Sequence, residues 1–450
     1  HKITVDAAES AALALRNGCD LECGRVFEHL PEALARGLIT EADIDRALAR
    51  TLATRFKLGM FDPPEMVPYA NIPPAVIGCQ AHRDLAYEAA VKSVVLLKNA
   101  GGLLPLPQTL RSVLVVGPTA GAADALLGNY FGLNAQMNTL LEGIAGAIPE
   151  GTRLDYRPGC GLVTPNANAQ DVAVANAAKC DVVIACMGLL PTLEGEEGDA
   201  IFSAAGGDRP DLALPAVQQA FIKELARSGT RIVLVLTGGG PIALGEIADL
   251  VDAILFVWYP GQEGGRAVAD VLFGRAAPSG RLPVTFPQSA AQLPPFEDYA
   301  MRERAYRYAT WEPLYPFGFG LSYTRFAYHD LAVTPSQIPA GQSVTVRCSV
   351  TNIGPVAGEE VAQLYLSDLE ASVETPIHSL VGFQRVALAP GERQEVTFTV
   401  SPDQMMVIDD DGRACLEPGL FRLTVGGCSP GTRGRALGAT EPLTAFFAMM

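Results

Sequence analysis

A loop rich in carboxylates follows the apolar segment DVVIACMG (181–188), and its residue types are suited to proton transfer. The loop reads LLPTLEGEEGDAIFSAAGGDRPDLALP. Its charged residues include Glu194, Glu196, Glu197, Asp199, Asp208 and Arg209. Crowded carboxylates repel one another, so the pKa of at least one is expected to rise. Such an acid can protonate a leaving-group oxygen near neutral pH. A solvated acidic loop without a catalytic role is the alternative, and spacing alone leaves both open.

A second glycine-rich turn, WYPGQEGG (258–265), follows the last apolar run of the same region. Its glycines allow the backbone to approach a neighbour or a ligand closely. The aromatic pair Trp258 and Tyr259 is suited to stacking on a sugar face, and packing in the core is the alternative.

Nucleotide, Ser-His-Asp and zinc sites are not expected, because the sequence lacks residues that each of them needs. Neither GPTAGAAD (117–124) nor TGGGP (237–241) has the spacing of a dinucleotide or phosphate loop, so nucleotide binding is not expected. The five histidines are far apart, and no Ser-His-Asp pattern is visible. Cys19 and Cys23 lack the further ligands of a zinc site. We expect no metal and no cofactor.

The elements that must position the acidic loop are short, apolar and β-branched. Five runs have this character: 93–97, 112–117, 181–188, 231–238 and 253–259. Such runs, alternating with helices, are typical of a parallel sheet covered on both faces. Ligands bind beyond the carboxyl ends of strands in such sheets, and the acidic loop follows one of these ends.

The regions before and after these runs have different sequence patterns. Residues 7–17 predict a helix ended by Gly18, residues 19–24 (CDLECG) a short strand, and Thr40 with Asp43 a capping box before another helix. Five prolines between 61 and 79 predict an extended linker. From about 330, alternating polar and apolar residues separated by turns predict a β-sandwich of immunoglobulin or fibronectin type III style.

Composition narrows the class of partner. The net charge of −16 and the pI of about 4.8 disfavour nucleic acid and anionic membranes. No apolar stretch is long enough to cross a membrane. Nine scattered cysteines, an odd number, imply no disulfide framework. Because the chain opens with His1, we expect a processed or cut end and no readable signal region.

Together these segments resemble the C-terminal part of family 3 glycoside hydrolases, in the bacterial β-xylosidase and β-glucosidase branch. The resemblance spans nearly the whole chain and rests on the combination of LEGEEGD with GGDR, WYPGQEGG, PSGRLPVTFP and PLYPFGFGLSYTRF. PPFEDYAMRERAYRY leans toward the xylosidase-like members.

The resemblance implies a multidomain α/β plus all-β fold. Residues 1–60 would be the end of a (β/α)8 barrel with its closing helices, and 61–79 a linker. Residues 80–325 would form an α/β sandwich with a mostly parallel sheet, and 330–450 a fibronectin type III-like domain.

The resemblance also implies an exo-acting retaining mechanism with two carboxyl groups about 5–5.5 Å apart. The acid/base role carries over to the acidic loop, with Glu194 as first choice, Glu196 as runner-up and Glu197 third. Asp208 and Arg209 would brace the loop. The nucleophile Asp is expected in a Ser-Asp motif before the position of His1. The only Ser-Asp pair in the sequence, Ser367-Asp368, lies in the predicted β-sandwich.

Two functions follow from this pattern. The first is a β-glycosidase (an O-glycosyl hydrolase) acting on terminal β-linked sugars of oligosaccharides, in xylan degradation for instance, or on aryl β-glycosides. The chain alone, without the nucleophile, is expected to be largely inactive. The second is a non-catalytic carbohydrate-binding or structural fragment. A periplasmic or secreted location is expected, a cytoplasmic one stays open, and so does a homo-oligomer.

Overall fold

The computed structural model describes residues 3–129, 131–196, 200–207 and 209–450, in two compact units. The first unit ends at Cys79 and the second begins at Gln80. The candidate site lies in the second unit.

The first unit is helical. Its helices are α1 Ala7–Arg16, α2 Leu30–Ala35 and α3 Glu41–Lys57. Single 3-10 turns occupy Val26–His29, Pro64–Met66 and Pro74–Val76. The predicted capping box is confirmed, because Thr40 and Asp43 bond each other's backbone amides at the start of α3. A small cluster of buried alanines, with Leu15 and Ile39, joins the helices.

Two predictions for this unit were wrong in part. Residues 19–24 form no strand: the Glu22 carboxylate accepts the amides of Val26 and Phe27 at 2.9 and 2.7 Å, so the segment turns and caps the next helix. The region 61–79 is not uniformly extended, because Pro64 and Pro74 start the two 3-10 turns, where a missing N–H costs nothing.

The second unit opens with α4 Gln80–Ser93 and continues as alternating strands and helices. In chain order these are β1 Val95–Asn99, β2 Ser112–Val116, α5 Leu140–Ala147, β3 Arg153–Arg157, α6 Ala167–Ala177, β4 Val182–Gly188, α7 Pro191–Glu194, α8 Ala216–Ala226, β5 Arg231–Thr237, α9 Ile247–Leu250, β6 Ala253–Trp258, α10 Gly264–Leu272 and α11 Ala305–Tyr308.

These strands form one six-stranded sheet in the order β1-β6-β5-β4-β2-β3. β2 to β6 run parallel, and β1 pairs antiparallel with β6 at the edge. The mostly parallel sheet is thereby confirmed. β3 was not predicted, because RLDYR is a polar edge strand without an apolar run.

Helices cover both faces of the sheet. Alternate residues of β4 enter opposite cores: Val183 packs with Phe221 of α8, and Ile184 packs in the cluster of Ile144 and Val268 from α5 and α10. Since every β4 residue is buried, the strand has the continuous apolar sequence typical of a doubly covered parallel sheet.

The remaining residues form the predicted β-sandwich. Its elements are β7 Phe326–Thr334, β8 Gln337–Ile338, β9 Val344–Asn352, β10 Gly358–Asp368, β11 Ser379–Leu388, β12 Arg393–Val400, β13 Val407–Ile408, β14 Ala414–Cys415, β15 Gly419–Gly426, α12 Thr432–Ala436 and β16 Leu443–Met449. The sheets β11-β10-β15-β16-β8 and β12-β9-β7 enclose a common apolar core. Among the described residues there is no closed barrel, and no helix is both long and apolar enough to cross a bilayer.

Candidate functional site

Three neighbouring parallel strands end together at one edge of the six-stranded sheet. Gly188 at the end of β4 pairs with Thr237 of β5, and Thr237 pairs with Trp258 of β6. The segments that follow them therefore leave the sheet side by side. This is the edge where open α/β sheets bind ligands.

Buried polar groups fix the end of β4. The Gln218 side chain of α8 accepts a hydrogen bond from the Gly188 amide at 2.8 Å and donates to the Gly188 carbonyl at 2.9 Å. Thr237 Oγ1 donates to the Leu189 carbonyl at 3.0 Å. Because Gln218 and Thr237 are fully buried, these bonds are shielded from water and hold the start of the acidic loop in place.

Glycine is the one residue type that fits at position 188, the end of β4. Its φ is +128°, and a Cβ there would lie 2.1 Å from the Thr237 carbonyl oxygen. Any side chain would separate β4 from β5 at the point where the loop begins.

Glu194, the last residue of α7, is the centre of a buried polar cluster. Its Oε1 accepts hydrogen bonds from the Tyr259 hydroxyl at 2.5 Å and from the Gly239 amide. Its Oε2 lies 3.2 Å from Nε of Arg209. The side chains of Glu194 and Arg209 are 10% and 13% exposed, so this ion pair is largely removed from solvent.

Arg209, near the end of the acidic loop, connects Glu194, near its start, to the segment that follows β5. Besides its ion pair with Glu194, it donates from Nη2 to the Pro241 carbonyl at 2.9 Å. Its Nη1 is buried and has no partner among the described atoms. Asp208, predicted to brace the loop with Arg209, lies outside the described residues, as do Glu197 and Asp199.

The environment of Tyr259 keeps its hydroxyl protonated. Burial, followed by the negative charge of Glu194, raises the pKa of Tyr259 far above its usual value. Tyr259 is therefore a permanent hydrogen-bond donor to the carboxylate. Trp258 makes no hydrogen bond with Glu194 in the described part of the chain and packs against the core. Its ring contacts Phe256 edge to face with centroids 4.6 Å apart, and its Nε1 donates to the Ser93 carbonyl at 3.1 Å.

Glu196 lies two residues beyond this cluster in a different setting. It is exposed, and its carboxylate has no hydrogen bond or ion pair to any residue that the structure describes. Its backbone carbonyl accepts the Ala200 amide at 3.2 Å, and the Phe202 amide donates to the Thr192 carbonyl at 2.9 Å. The Ala200 and Phe202 amides are thus tied to the segment 192–196, while the Glu196 side chain is exposed.

The role of Gly239 in the cluster was missed at the sequence level. Its segment, TGGGP, was considered only as a phosphate loop. A Cβ at Gly239 would lie 3.2 Å from Glu194 Oε1 and 3.3 Å from the Tyr259 ring, so the glycine makes room for both side chains. The signal was the run of glycines directly after an apolar strand at the same sheet edge.

Two carboxylates of the acidic loop, Glu194 and Glu196, differ in their contacts. Three donors, the Gly239 amide, the Tyr259 hydroxyl and Arg209, hold the Glu194 side chain in position. Glu196 is exposed and has no such donors among the residues that the structure describes. No group of three or more His, Cys, Asp or Glu that suits a metal ion is found within the described parts of the chain.

Two family models match the chain. The model described as "Glycosyl hydrolase family 3 C-terminal domain" matches residues 94–323, and the model described as "Fibronectin type III-like domain" matches residues 360–429.

Curated relatives and solved structures agree with these matches. The chain is 33% identical to a "Beta-xylosidase" of Formosa agariphila, over 95% of this chain and 61% of that protein. It is 32% identical to a "Periplasmic beta-glucosidase" of Salmonella typhimurium, over 95% and 60%. The structure of a β-glucosidase from Erythrobacter marinus superposes with a TM-score of 0.83 at 33% identity, covering all of this chain and 61% of the other. The chain therefore spans about three-fifths of the length of these relatives.

Proposed function

The chain belongs to glycoside hydrolase family 3, and on that premise we propose that it carries the acid/base half of the active site of an exo-acting, retaining β-glycosidase. The substrate class is a terminal, non-reducing β-linked xylose or glucose of an oligosaccharide or an aryl β-glycoside. The observation that carries the proposal is the pair of carboxylates, one held and one free, beyond the carboxyl ends of β4 to β6.

A retaining glycosidase needs one carboxyl group that first protonates the departing oxygen and then removes a proton from water. The group must therefore exist in both protonation states during each turnover. A carboxylate whose two oxygens already accept three donors has little room left to contact a leaving-group oxygen or a water molecule.

This requirement distinguishes Glu194 from Glu196. Glu194 is the first choice from position in the sequence, but its contacts with Arg209, Tyr259 and Gly239 suit an anchor that holds the loop. Glu196 is exposed and has no side-chain partner among the described residues, so its carboxyl group is accessible to a leaving-group oxygen and to water. We therefore assign the acid/base role to Glu196 and a positioning role to Glu194.

Under this proposal, the nucleophile lies in the half of the active site that residues 1–450 do not supply. The retaining mechanism places its carboxyl group about 5–5.5 Å from the acid/base. An exposed Glu196 is compatible with a second carboxylate approaching from outside the loop. A periplasmic or secreted location is part of the proposal, in keeping with the name of the Salmonella relative.

The proposal is tested by extending the chain to the length of its relatives and measuring release of 4-nitrophenol from 4-nitrophenyl β-D-xyloside and β-D-glucoside. Hydrolysis of at least one with retention at the anomeric carbon is the expected result. An extended protein that folds and contains a Ser-Asp motif, yet ignores all aryl β-glycosides, would contradict the proposal. Saturable sugar binding without hydrolysis would favour the non-catalytic alternative.

A further inference from the structure

A cavity of about 240 Å³ lies within the second unit, away from the Glu194 cluster. Its walls come from residues 285–317, from His378 just before β11, and from residues 429–434, which lead into and begin α12. No residue of the acidic loop and none of the groups that bond Glu194 lines it. The volume is below the roughly 300–1,000 Å³ of pockets for drug-sized ligands, so a single small ring is the appropriate size.

Two buried polar atoms in the walls of this cavity have no partner among the described residues. They are Oγ1 of Thr285 and Nε2 of His378, from segments far apart in the chain. His378 is only 9% exposed. A buried polar atom without a hydrogen bond costs about 1–3 kcal/mol, so each atom favours a bound group that supplies one.

The charges around the cavity favour a neutral ligand. Burial, and then the positive charge of Arg422, lower the pKa of His378 to about 4, so its ring is uncharged at neutral pH. Glu312 and Arg433 also line the cavity and have opposite signs. Arg433 additionally donates from Nε to the Leu314 carbonyl at 3.1 Å. The lining itself therefore carries one positive and one negative side chain and no net charge.

Aromatic side chains provide the apolar walls. Tyr306 and Phe317 stack with ring centroids 4.0 Å apart, and Tyr306 also meets Tyr365 edge to face at 6.1 Å. Trp311 is held by a hydrogen bond from Nε1 to the Glu303 carbonyl at 3.2 Å. Rigid aromatic surface next to a few convergent polar atoms is the composition of a small-molecule site.

We propose that this cavity is a second, non-catalytic site that binds one neutral monosaccharide ring, with its hydroxyls bonded to Thr285 and His378 and its C–H face against the aromatic wall. A sugar is the only ligand class that combines several neutral hydroxyls with an apolar ring face at this size and that the proposed reaction also releases. The choice of a sugar thus rests on the proposed function, whereas the existence of a site rests on the cavity alone.

The test is calorimetric titration of the full chain with D-xylose and D-glucose, with glycerol as a polyol that lacks a ring. One sugar is expected to bind saturably with a Kd of about 1–10 mM, at least tenfold tighter than glycerol. Thr285→Val keeps the shape and removes the hydroxyl, and is expected to weaken binding about tenfold. Thr397→Val, an exposed threonine of β12, is the matched control and is expected to leave binding unchanged.

His378→Leu removes the second polar atom and serves as an independent variant should Thr285→Val fold poorly. Absence of saturable binding by either sugar, or binding that neither variant weakens, overturns the proposal. Glu196→Gln in the same titration separates the two sites, because it is expected to leave this binding intact. Binding lost in Glu196→Gln and kept in Thr285→Val would place the sugar at the catalytic loop and overturn the cavity assignment.

Discussion

Oε2 of Glu194 and Nε of Arg209 lie 3.2 Å apart, although the two residues are fifteen positions apart in the chain. Both side chains are about nine-tenths buried, and the contact closes the acidic loop on the edge of the sheet. This ion pair anchors the loop at Glu194, two residues before the exposed Glu196.

Breaking this pair from one side is expected to destabilise the second unit. Arg209→Met leaves a buried, partly unpaired carboxylate, so the free energy of unfolding should fall by about 3 kcal/mol. The double variant Glu194→Gln, Arg209→Met should recover most of the loss, because an amide at position 194 does not leave a charge buried. Urea titrations of the two single variants and the double variant measure the coupling.

An exposed ion pair provides the control for this experiment. Arg227, the residue directly after α8, and Glu224 lie 2.6 Å apart, and the arginine is 74% exposed. Arg227→Met should change the stability little, because solvent screens exposed pairs. Equal losses for Arg209→Met and Arg227→Met would show that the Glu194 pair is not protected from solvent.

Removing the Tyr259 hydroxyl should also weaken the anchor. Tyr259→Phe deletes a donor to a charged acceptor and is expected to lower the free energy of unfolding by about 2 kcal/mol. Tyr323→Phe is the matched control, because the Tyr323 hydroxyl donates to the neutral Val271 carbonyl at 2.8 Å and should cost only about 1 kcal/mol. A larger loss in the control than in Tyr259→Phe would show that the hydrogen bond from Tyr259 does not anchor Glu194.

The buried His378 makes stability depend on pH. Its folded pKa is about 4, whereas in an unfolded chain it is near 6.5. Above pH 6.5 the ring is neutral in both states. As the pH falls from 6.5 toward 4, only the unfolded chain takes up the proton, so stability is lost by up to roughly 3 kcal/mol and then levels off below pH 4. The groups next to the ring are Arg422, whose charge adds to the effect, and the uncharged Tyr306 and Tyr365.

Thermal melting at pH 7.5 and 4.5 measures this dependence. His378→Leu should reduce the difference in melting temperature between the two pH values. His329→Gln, at an exposed position of β7, should leave the difference as in the parent protein. A dependence that is the same in all three proteins would mean that other groups cause it.

Much of the fold could be predicted because the deciding signals are local. The runs at 112–117, 181–188, 231–238 and 253–259 are largely apolar, and each forms a strand that is buried over most of its length. The strand at 153–157 escaped notice because its polar residues satisfy an edge position, where only one neighbour is present. Residues 19–24 were misread because Glu22 bonds two downstream amides, a contact that no periodicity reveals.

The candidate site was predictable only as a region. The position of the acidic loop after β4 follows from the sequence. The sequence also identifies the carboxylates of this loop as the candidates for the acid/base. Which carboxylate is held and which is free depends on Arg209, Gly239 and Tyr259, which come together only through the order of β4, β5 and β6. A count of residues along the loop carries no information about those partners.

The most direct test of the acid/base assignment compares Glu196→Ala with Glu194→Ala in a chain extended to the length of its relatives. Substrates with poor and good leaving groups are used, with and without azide. Loss of the acid/base should lower kcat/KM for an alkyl β-glycoside by about 10²–10⁴ and for 2,4-dinitrophenyl β-glycoside far less, because a good leaving group needs no proton. Azide should replace the water that Glu196 activates and yield a β-glycosyl azide.

The account predicts this pattern for Glu196→Ala alone, while Glu194→Ala weakens activity on all substrates alike and gives no glycosyl azide. Azide rescue of Glu194→Ala, with Glu196→Ala as active as the parent enzyme, would contradict the assignment.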